Sequence, residues 1–278
     1  MASEEGSSRR WRLALLAAAA AGAVALVALF AWMFGVLVQP APPRSVVMST
    51  GPADGAYHAF ALRYREHLAH YGVDLVLKPS NGSMENIERL ITRRDGVQIA
   101  LVQSGIAAAS EAPGIVTLGS LFYEPVWLFW RGKEPLTNLS KLRGKRIAIG
   151  APGSGAQALA RQLLKAHGID GTVAQLIETG GLAAVDGLES GALDLAVFVN
   201  APEAPAIRRL MLASGIQHVS VRHADAYVGR FPFLHKLALP AGAIDVALDV
   251  PGEDQTLVAA TANLLAVEDI HPVIVDLL

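Results

Sequence analysis

The first 43 residues of the chain contain one unbroken apolar run. Residues 13–38 are 26 consecutive uncharged residues, which exceeds the roughly 20 that a helix needs to cross the hydrocarbon core of a bilayer. A cleaved signal peptide is the alternative, but its apolar region is usually about 7–15 residues long and ends at a small-residue cleavage site. This run ends in Val38-Gln39-Pro40. We therefore expect residues 13–38 to be an uncleaved transmembrane anchor.

The flanks of this run predict its orientation in the inner membrane. Residues 1–12 contain three arginines close to the run, and the positive-inside rule keeps such a flank in the cytoplasm. Residues 39–44 are rich in proline and form a short, stiff spacer. The expected arrangement is a single-pass protein whose lipid contact is residues 13–38 and whose remaining residues, 45–278, are periplasmic or extracellular.

The external part is long enough for one large domain or two small lobes. The whole chain has a net charge of −2 and its first 12 residues +1, so the rest is mildly acidic, at about −3. A nucleic-acid partner is therefore not expected, because it would call for a basic stripe. Cysteine is absent, which excludes disulfides, thiolate metal sites and a cysteine nucleophile.

Apolar strands alternate with amphipathic helices along residues 45–278. The predicted strands are 45–49, 73–77, 97–102, 145–149 and 194–199, with a long extended segment over 118–130. The predicted helices are 55–70, 83–93, 154–167 and 205–214. This alternation is typical of parallel sheets with helices on both faces. We expect an α/β fold of two lobes, the first at about 45–125 and 237–278 and the second at about 131–230.

Seven segments in this order resemble the TAXI family, the solute receptors of TRAP-type secondary transporters. They are TGPADGAYHAF (50–60), NGSMENIERL (81–90), IALVQSGIA (99–107), LFYEPVWLFWR (121–131), LRGKRIAIGAPGSGAQALA (142–160), ESGALDLAVFVNAPEAPAI (189–207) and FPF…LPAGAI (231–244). The resemblance implies a type II periplasmic-binding-protein fold with the ligand between the lobes. It also implies a small organic anion as ligand, often a dicarboxylate or an acidic amino acid, and membrane transporter subunits as partners.

Three polar loops that contain glycine each follow a strand and open a helix: 50–57, 80–85 and 151–156. Ligands of open α/β sheets sit at this strand-end edge. The first N–H groups of a helix lack intrahelical partners and, with the helix dipole, favour a carboxylate. For any one loop a simple turn is the better interpretation, but three in order predict a binding site. From these loops we select Gly51, Gly55, Asn81, Gly82, Ser83, Ser154, Gly155 and Ala156.

Five further residues complete the predicted site. Gln103 and Ser104 end an apolar strand, where unpaired polar groups would be costly in a core. Tyr57 fits either core packing or a cleft wall, and Glu124 either a ligand ammonium group or a structural salt bridge. Asn200 ends a strand of the second lobe. Ser154 either caps its helix or contacts the ligand.

Enzymatic chemistry is not expected. The loop GAPGSGAQ (150–157) has Ala156-Gln157 where a P-loop requires Lys-Ser/Thr, and neither Ser104 nor Ser154 fits a nucleophile elbow. His67 and His70 lie one helical turn apart without a third ligand, so no metal or cofactor is predicted.

Capture of an anion for a transporter is therefore the first hypothesis for function. A membrane-tethered sensory or accessory module without a transport role is the alternative. The end of the chain, 268–278, shows helical spacing and no stop signal, so we also expect a last helix that is short or frayed in a chain truncated relative to its relatives.

Overall fold

A computed structural model describes residues 2–37, 41–53, 55–106 and 111–278, which form two compact units, Met1–Pro42 and Pro43–Leu278. The first unit contains helix α1 (Ala2–Leu37). Its segment Leu15–Phe34 is long and apolar enough to cross a membrane, by length and composition. The predicted anchor lies in α1 up to Leu37, while Val38, Gln39 and Pro40 lie outside the described residues.

The second unit alternates strands with helices, as the sequence pattern predicts. Its described helices are α2 (Ala56–Ala69), α3 (Ser83–Thr92), α4 (Gly155–Ala166), α5 (Gly181–Ser190), α6 (Pro205–Met211), α7 (Ala224–Arg230) and α8 (Pro272–Leu277). Its described strands are β1 (Ser45–Ser49), β2 (Asp74–Lys78), β3 (Ile99–Gln103), β4 (Ile115–Trp130), β5 (Arg146–Ala148), β6 (Gln175–Ile177), β7 (Leu195–Val199), β8 (Gln217–His218), β9 (His235–Leu239) and β10 (Gln255–Val267).

The strands join in the order β2-β1-β3-β10-β4-β7-β5-β6, with β8 beside β4 and β9 beside β10. The prediction of parallel pairing is confirmed within β1–β3 and within β5–β7. In contrast, β4 and β10 pair antiparallel with each other and with their other neighbours. The result is a mixed sheet, because the parallel strands β1–β3 and the parallel strands β5–β7 are joined through β4 and β10, which pair antiparallel with their neighbours.

Strands β4 and β10 are the connections between two lobes. The first half of β4 packs on the core around β1, β2 and β3, which includes Met48 and Leu101. Its second half, from Val126, packs in two clusters on either face of β5 and β7. The same change occurs along β10 between Ala260 and Ala262. The chain therefore has the two-lobed α/β fold that the sequence predicts.

The structure groups residues beyond the expected lobe boundary at about 237 with the cores of the second lobe. Leu239, Ile244 and Leu257 belong to the core on one face of the second lobe, and Val258 and Ala260 belong to the core on the other. The chain returns to the first lobe only within β10. Strand β10 contributes to both lobes. Contacts with residues far away in the sequence determine which half packs in which lobe, and no local break in the sequence marks the change.

The last helix, α8, has six residues, which confirms the expectation of a short helix. It is not frayed, because Nδ1 of His271 accepts a hydrogen bond from the N–H of Val273 and Ile274 is buried in the first lobe.

Candidate functional site

Four helices of the second unit begin at the rim of one cleft. Strands β1, β2, β5 and β6 each end in a glycine-containing loop that opens α2, α3, α4 and α5, respectively. Between these loops lies a cleft of about 250 Å³. Twelve of the thirteen predicted site residues line it: Gly51, Gly55, Tyr57, Asn81, Gly82, Ser83, Gln103, Glu124, Ser154, Gly155, Ala156 and Asn200.

Ser104 is the exception and does not line the cleft. Its hydroxyl donates to the carbonyl of Phe233 at 3.2 Å and accepts from the N–H of Thr261 at 2.9 Å. Successive side chains of a strand point to opposite sides, and its neighbour Gln103 already faces the cleft. Ser104 therefore points away from the cleft and links the end of β3 to β10 and to the carbonyl of Phe233.

Two loops of the first lobe are held in place by the buried side chain of Asn86. Its amide nitrogen donates to the carbonyls of Thr50 and Leu101, and its oxygen accepts the hydroxyls of Ser49 and Ser80. All four hydrogen-bonding positions of this amide are thus occupied. The network ties the ends of β1 and β2 to β3 and fixes the rim on which α2 and α3 begin.

The two lobes meet at the bottom of the cleft. The N–H of Met84 donates to the carbonyl of Gly153 at 3.3 Å, and Nε2 of Gln103 donates to the carbonyl of Gly155 at 3.4 Å. Gly82 has a φ of 125°, and a Cβ there would lie 3.3 Å from the Cα of Ser154. Glycine is strongly favoured at this position, because other residues would be strained in this backbone conformation and a Cβ would press against Ser154.

The helix starts present unpaired amides to the cleft. Helices α2, α3 and α5 begin after glycine and lack a side-chain cap. The N–H groups of Ser83, Gly155, Ala156 and Gly181 form no hydrogen bond with any other described residue. Orphan donors of this kind, together with the helix dipoles, give the cleft a positive potential without a cationic side chain.

Ser154 caps α4, which is one of its two predicted roles. Its hydroxyl accepts from the N–H of Gln157 at 3.1 Å and donates to the carbonyl of Ala151 at 2.7 Å. The hydroxyl proton is therefore already used within the loop. Any contact of Ser154 with a ligand is limited to its remaining lone pair or its backbone.

Glu124 lies where β4 passes from one lobe to the other, with Ala260 of β10 as its strand partner. It is 9% exposed, and Oε2 accepts a hydrogen bond from the hydroxyl of Tyr57 at 2.8 Å. Glu124 forms no ion pair with a described residue. The salt-bridge interpretation is therefore not supported. Tyr57 combines both predicted roles, since its ring also packs against Phe122.

Burial raises the pKa of Glu124 to about 7, although the hydrogen bond from Tyr57 opposes the shift. Burial and the neighbouring Glu124 carboxylate hold the pKa of Tyr57 well above its ordinary value. Tyr57 therefore keeps its proton and acts as a hydrogen-bond donor to Glu124. The charge of Glu124 itself changes within the physiological pH range.

A fourth loop was missed in the sequence. Gly180 and Gly181 line the cleft at the start of α5, as do Gly150 and Ala151 before α4. The signal was the same as in the other three loops: glycine between a strand and a helix. It was not recognised because the preceding strand, β6, has only three residues.

The chain has a two-lobed α/β fold that is similar to that of periplasmic binding proteins. The chain belongs to the NMT1-like family, whose model matches residues 48–274.

Solved structures of low sequence identity share the fold. A Xanthomonas citri protein bound to ATP aligns with 84% of this chain and 81% of its own length at 13% identity and a TM-score of 0.55. An ancestral arginine-binding protein bound to arginine aligns with 84% of this chain and 89% of its own at 12% identity and a TM-score of 0.51. The chain spans 62% of the length of the periplasmic aliphatic sulphonate-binding protein SsuA from Escherichia coli, at 13% identity, 81% coverage of this chain and a TM-score of 0.48.

Proposed function

We propose that this protein captures a small organic anion, a dicarboxylate or an acidic amino acid, outside the cytoplasm. The observation that supports this most is the convergence of four helix starts on one cleft. Among the described residues that line the cleft there is no lysine, arginine or histidine. A carboxylate held there would accept hydrogen bonds from backbone N–H groups, including those of Ser83, Gly155, Ala156 and Gly181.

Binding without turnover suits this arrangement. The cleft lies between lobes joined by two strands, a geometry that opens and closes by a hinge around a ligand. The arginine-binding and ATP-bound proteins of the same fold each hold a charged small molecule. The cleft walls of the described residues offer hydrogen-bond groups and one carboxyl group rather than a nucleophile beside a base.

Helix α1 is proposed to be an uncleaved anchor, with the cleft on the periplasmic or extracellular side. A tether of this kind would keep the captured ligand beside a membrane protein. Following the resemblance to the TAXI family, we propose subunits of a TRAP-type transporter as that partner.

Calorimetry of the full chain in detergent tests the capture of an anion. Succinate, glutarate, aspartate and glutamate are the probes, with glucose and choline as neutral and cationic controls. We expect saturable one-to-one binding of at least one anion and none of the controls. Binding of glucose or choline alone would contradict the assignment of the cleft to anions.

A further inference from the structure

The cleft contains one acidic side chain in a site proposed for an anion. Glu124 is the only carboxyl group among the described lining residues, and Tyr57 is the only other titratable one. Each of the four helix starts favours a negative charge, whereas Glu124, when ionised, repels it. A ligand that binds favourably to both the helix starts and Glu124 must have a carboxylate at one end and a hydrogen-bond donor or positive charge at another.

The hydrogen bonds around Glu124 run in one direction. The N–H of Gln103 donates to the hydroxyl oxygen of Ser83 at 3.0 Å. The Ser83 and Tyr57 hydroxyls are 3.4 Å apart, and the Tyr57 proton is already donated to Oε2 of Glu124. Ser83 must therefore donate to Tyr57, so that three donors in sequence point towards the Glu124 carboxylate.

This order of donors fits an ionised carboxylate in which one oxygen still lacks a hydrogen-bond donor. Oε1 of Glu124 accepts no hydrogen bond from the described residues and is not fully buried, so it remains accessible on the wall of the cleft. An accessible carboxylate oxygen on the wall of a cleft can accept a hydrogen bond from a ligand. A ligand group that donates to Oε1 would bind more tightly than a group that only accepts hydrogen bonds.

We propose that Glu124 is a specificity-determining residue that binds the ammonium group of the ligand, which makes the physiological ligand an amino acid rather than a dicarboxylate without an amine. The proposal rests on anion capture by the helix starts, which would hold the amino acid's carboxylate. Tyr57 and Ser83 act as positioning residues, since they orient and desolvate the Glu124 carboxylate without needing to touch the ligand.

The two ligand types should respond to pH in opposite ways. Raising the pH through about 7 ionises Glu124; this strengthens binding of an ammonium group and weakens binding of a dicarboxylate. The ammonium groups of amino acids stay charged at pH 8, so only the protein side titrates. The Tyr57 hydroxyl keeps its proton over the same range.

The test measures paired probes by calorimetry on the full chain in detergent at pH 6 and 8. Each pair is an amino acid and its deaminated acid: glutamate and glutarate, aspartate and succinate, leucine and 4-methylpentanoate. At pH 8 we expect the better-bound pair to favour the amino acid by about 30-fold or more, as for a buried charge pair. Glu124→Gln should remove most of this preference and its pH dependence, whereas Glu253→Gln, an exposed control, should leave both unchanged.

Tyr57→Phe provides a second readout. It removes the donor that lowers the pKa of Glu124, so the pH at which amino-acid binding tightens should move upward. A purely structural role for Glu124 predicts instead that Glu124→Gln weakens both members of a pair equally, and that result would overturn the proposal. Tighter binding of the deaminated acid at pH 8 would overturn it while leaving anion capture intact. Failure of every probe to bind the unmodified chain would overturn both.

Discussion

At pH 8 the ligand-free variant Glu124→Gln is expected to be more stable than the unmodified protein by about 3 kcal/mol. The pKa of Glu124 is about 7 in the folded protein, against 4.5 for an ordinary glutamate. When folding raises the pKa of a carboxyl group, the folded protein loses stability as the pH rises from the pKa of that group in the unfolded chain to its pKa in the folded protein. The difference should therefore be absent below about pH 4.5 and complete above about pH 7.

Chemical denaturation of residues 43–278, which form a compact unit, measures this difference at pH 5 and 8. Glutamine keeps an oxygen that accepts the Tyr57 hydroxyl, so the variant removes the buried charge without removing its hydrogen bond. Glu253→Gln is the matched control, because Glu253 is exposed. Equal stability of Glu124→Gln and the unmodified domain at both pH values would show that the Glu124 carboxylate is not a destabilising buried charge.

Replacement of Gly155 by leucine is expected to weaken anion binding by about 100-fold or more. A Cβ at this position would lie 2.5 Å from Oε1 and 3.1 Å from Cβ of Gln103, which belongs to the opposite lobe. The side chain would therefore hold the lobes apart at the bottom of the cleft and block the approach of a ligand to the start of α4. The hydrophobic cores of both lobes lie elsewhere and should stay folded.

Gly171→Leu is the control for this substitution. Gly171 is also in the second lobe, and a Cβ there meets no atom within 4 Å. Calorimetry with the tightest-binding anion should give unchanged affinity for Gly171→Leu, and circular dichroism should show folded protein for both variants. Unchanged affinity of Gly155→Leu would place the ligand away from α4.

The local part of the fold and site could be predicted because it depends on short-range signals. Glycine-containing loops between strands and helices located three of the four helix starts. Ser154 was recognised as a cap from its position before α4. Gln103 was selected because an unpaired polar group at the end of an apolar strand would be costly in a core. The same argument also selected Ser104, which does not line the cleft.

The remaining features depend on contacts between distant residues. The division of β10 between two lobes is determined by β3, β4 and β9, which pair with it from elsewhere in the chain. The side-chain direction of Ser104 follows from the register of β3 with β10. The raised pKa of Glu124 arises from its burial where the lobes meet. The residues that bury it are distant in the sequence, so no local pattern predicts this shift. The missed loop at Gly180 follows a strand too short to recognise by pattern.

A crystal structure of this protein with bound L-glutamate tests the account most directly, because it shows which atoms hold the ligand's carboxylate. The expected result is a carboxylate oxygen within about 3.2 Å of the backbone nitrogens of Ser83, Gly155 or Ala156, with the ammonium group at Oε1 of Glu124. A ligand bound outside this cleft, or a carboxylate held by a lysine or arginine side chain, would contradict it.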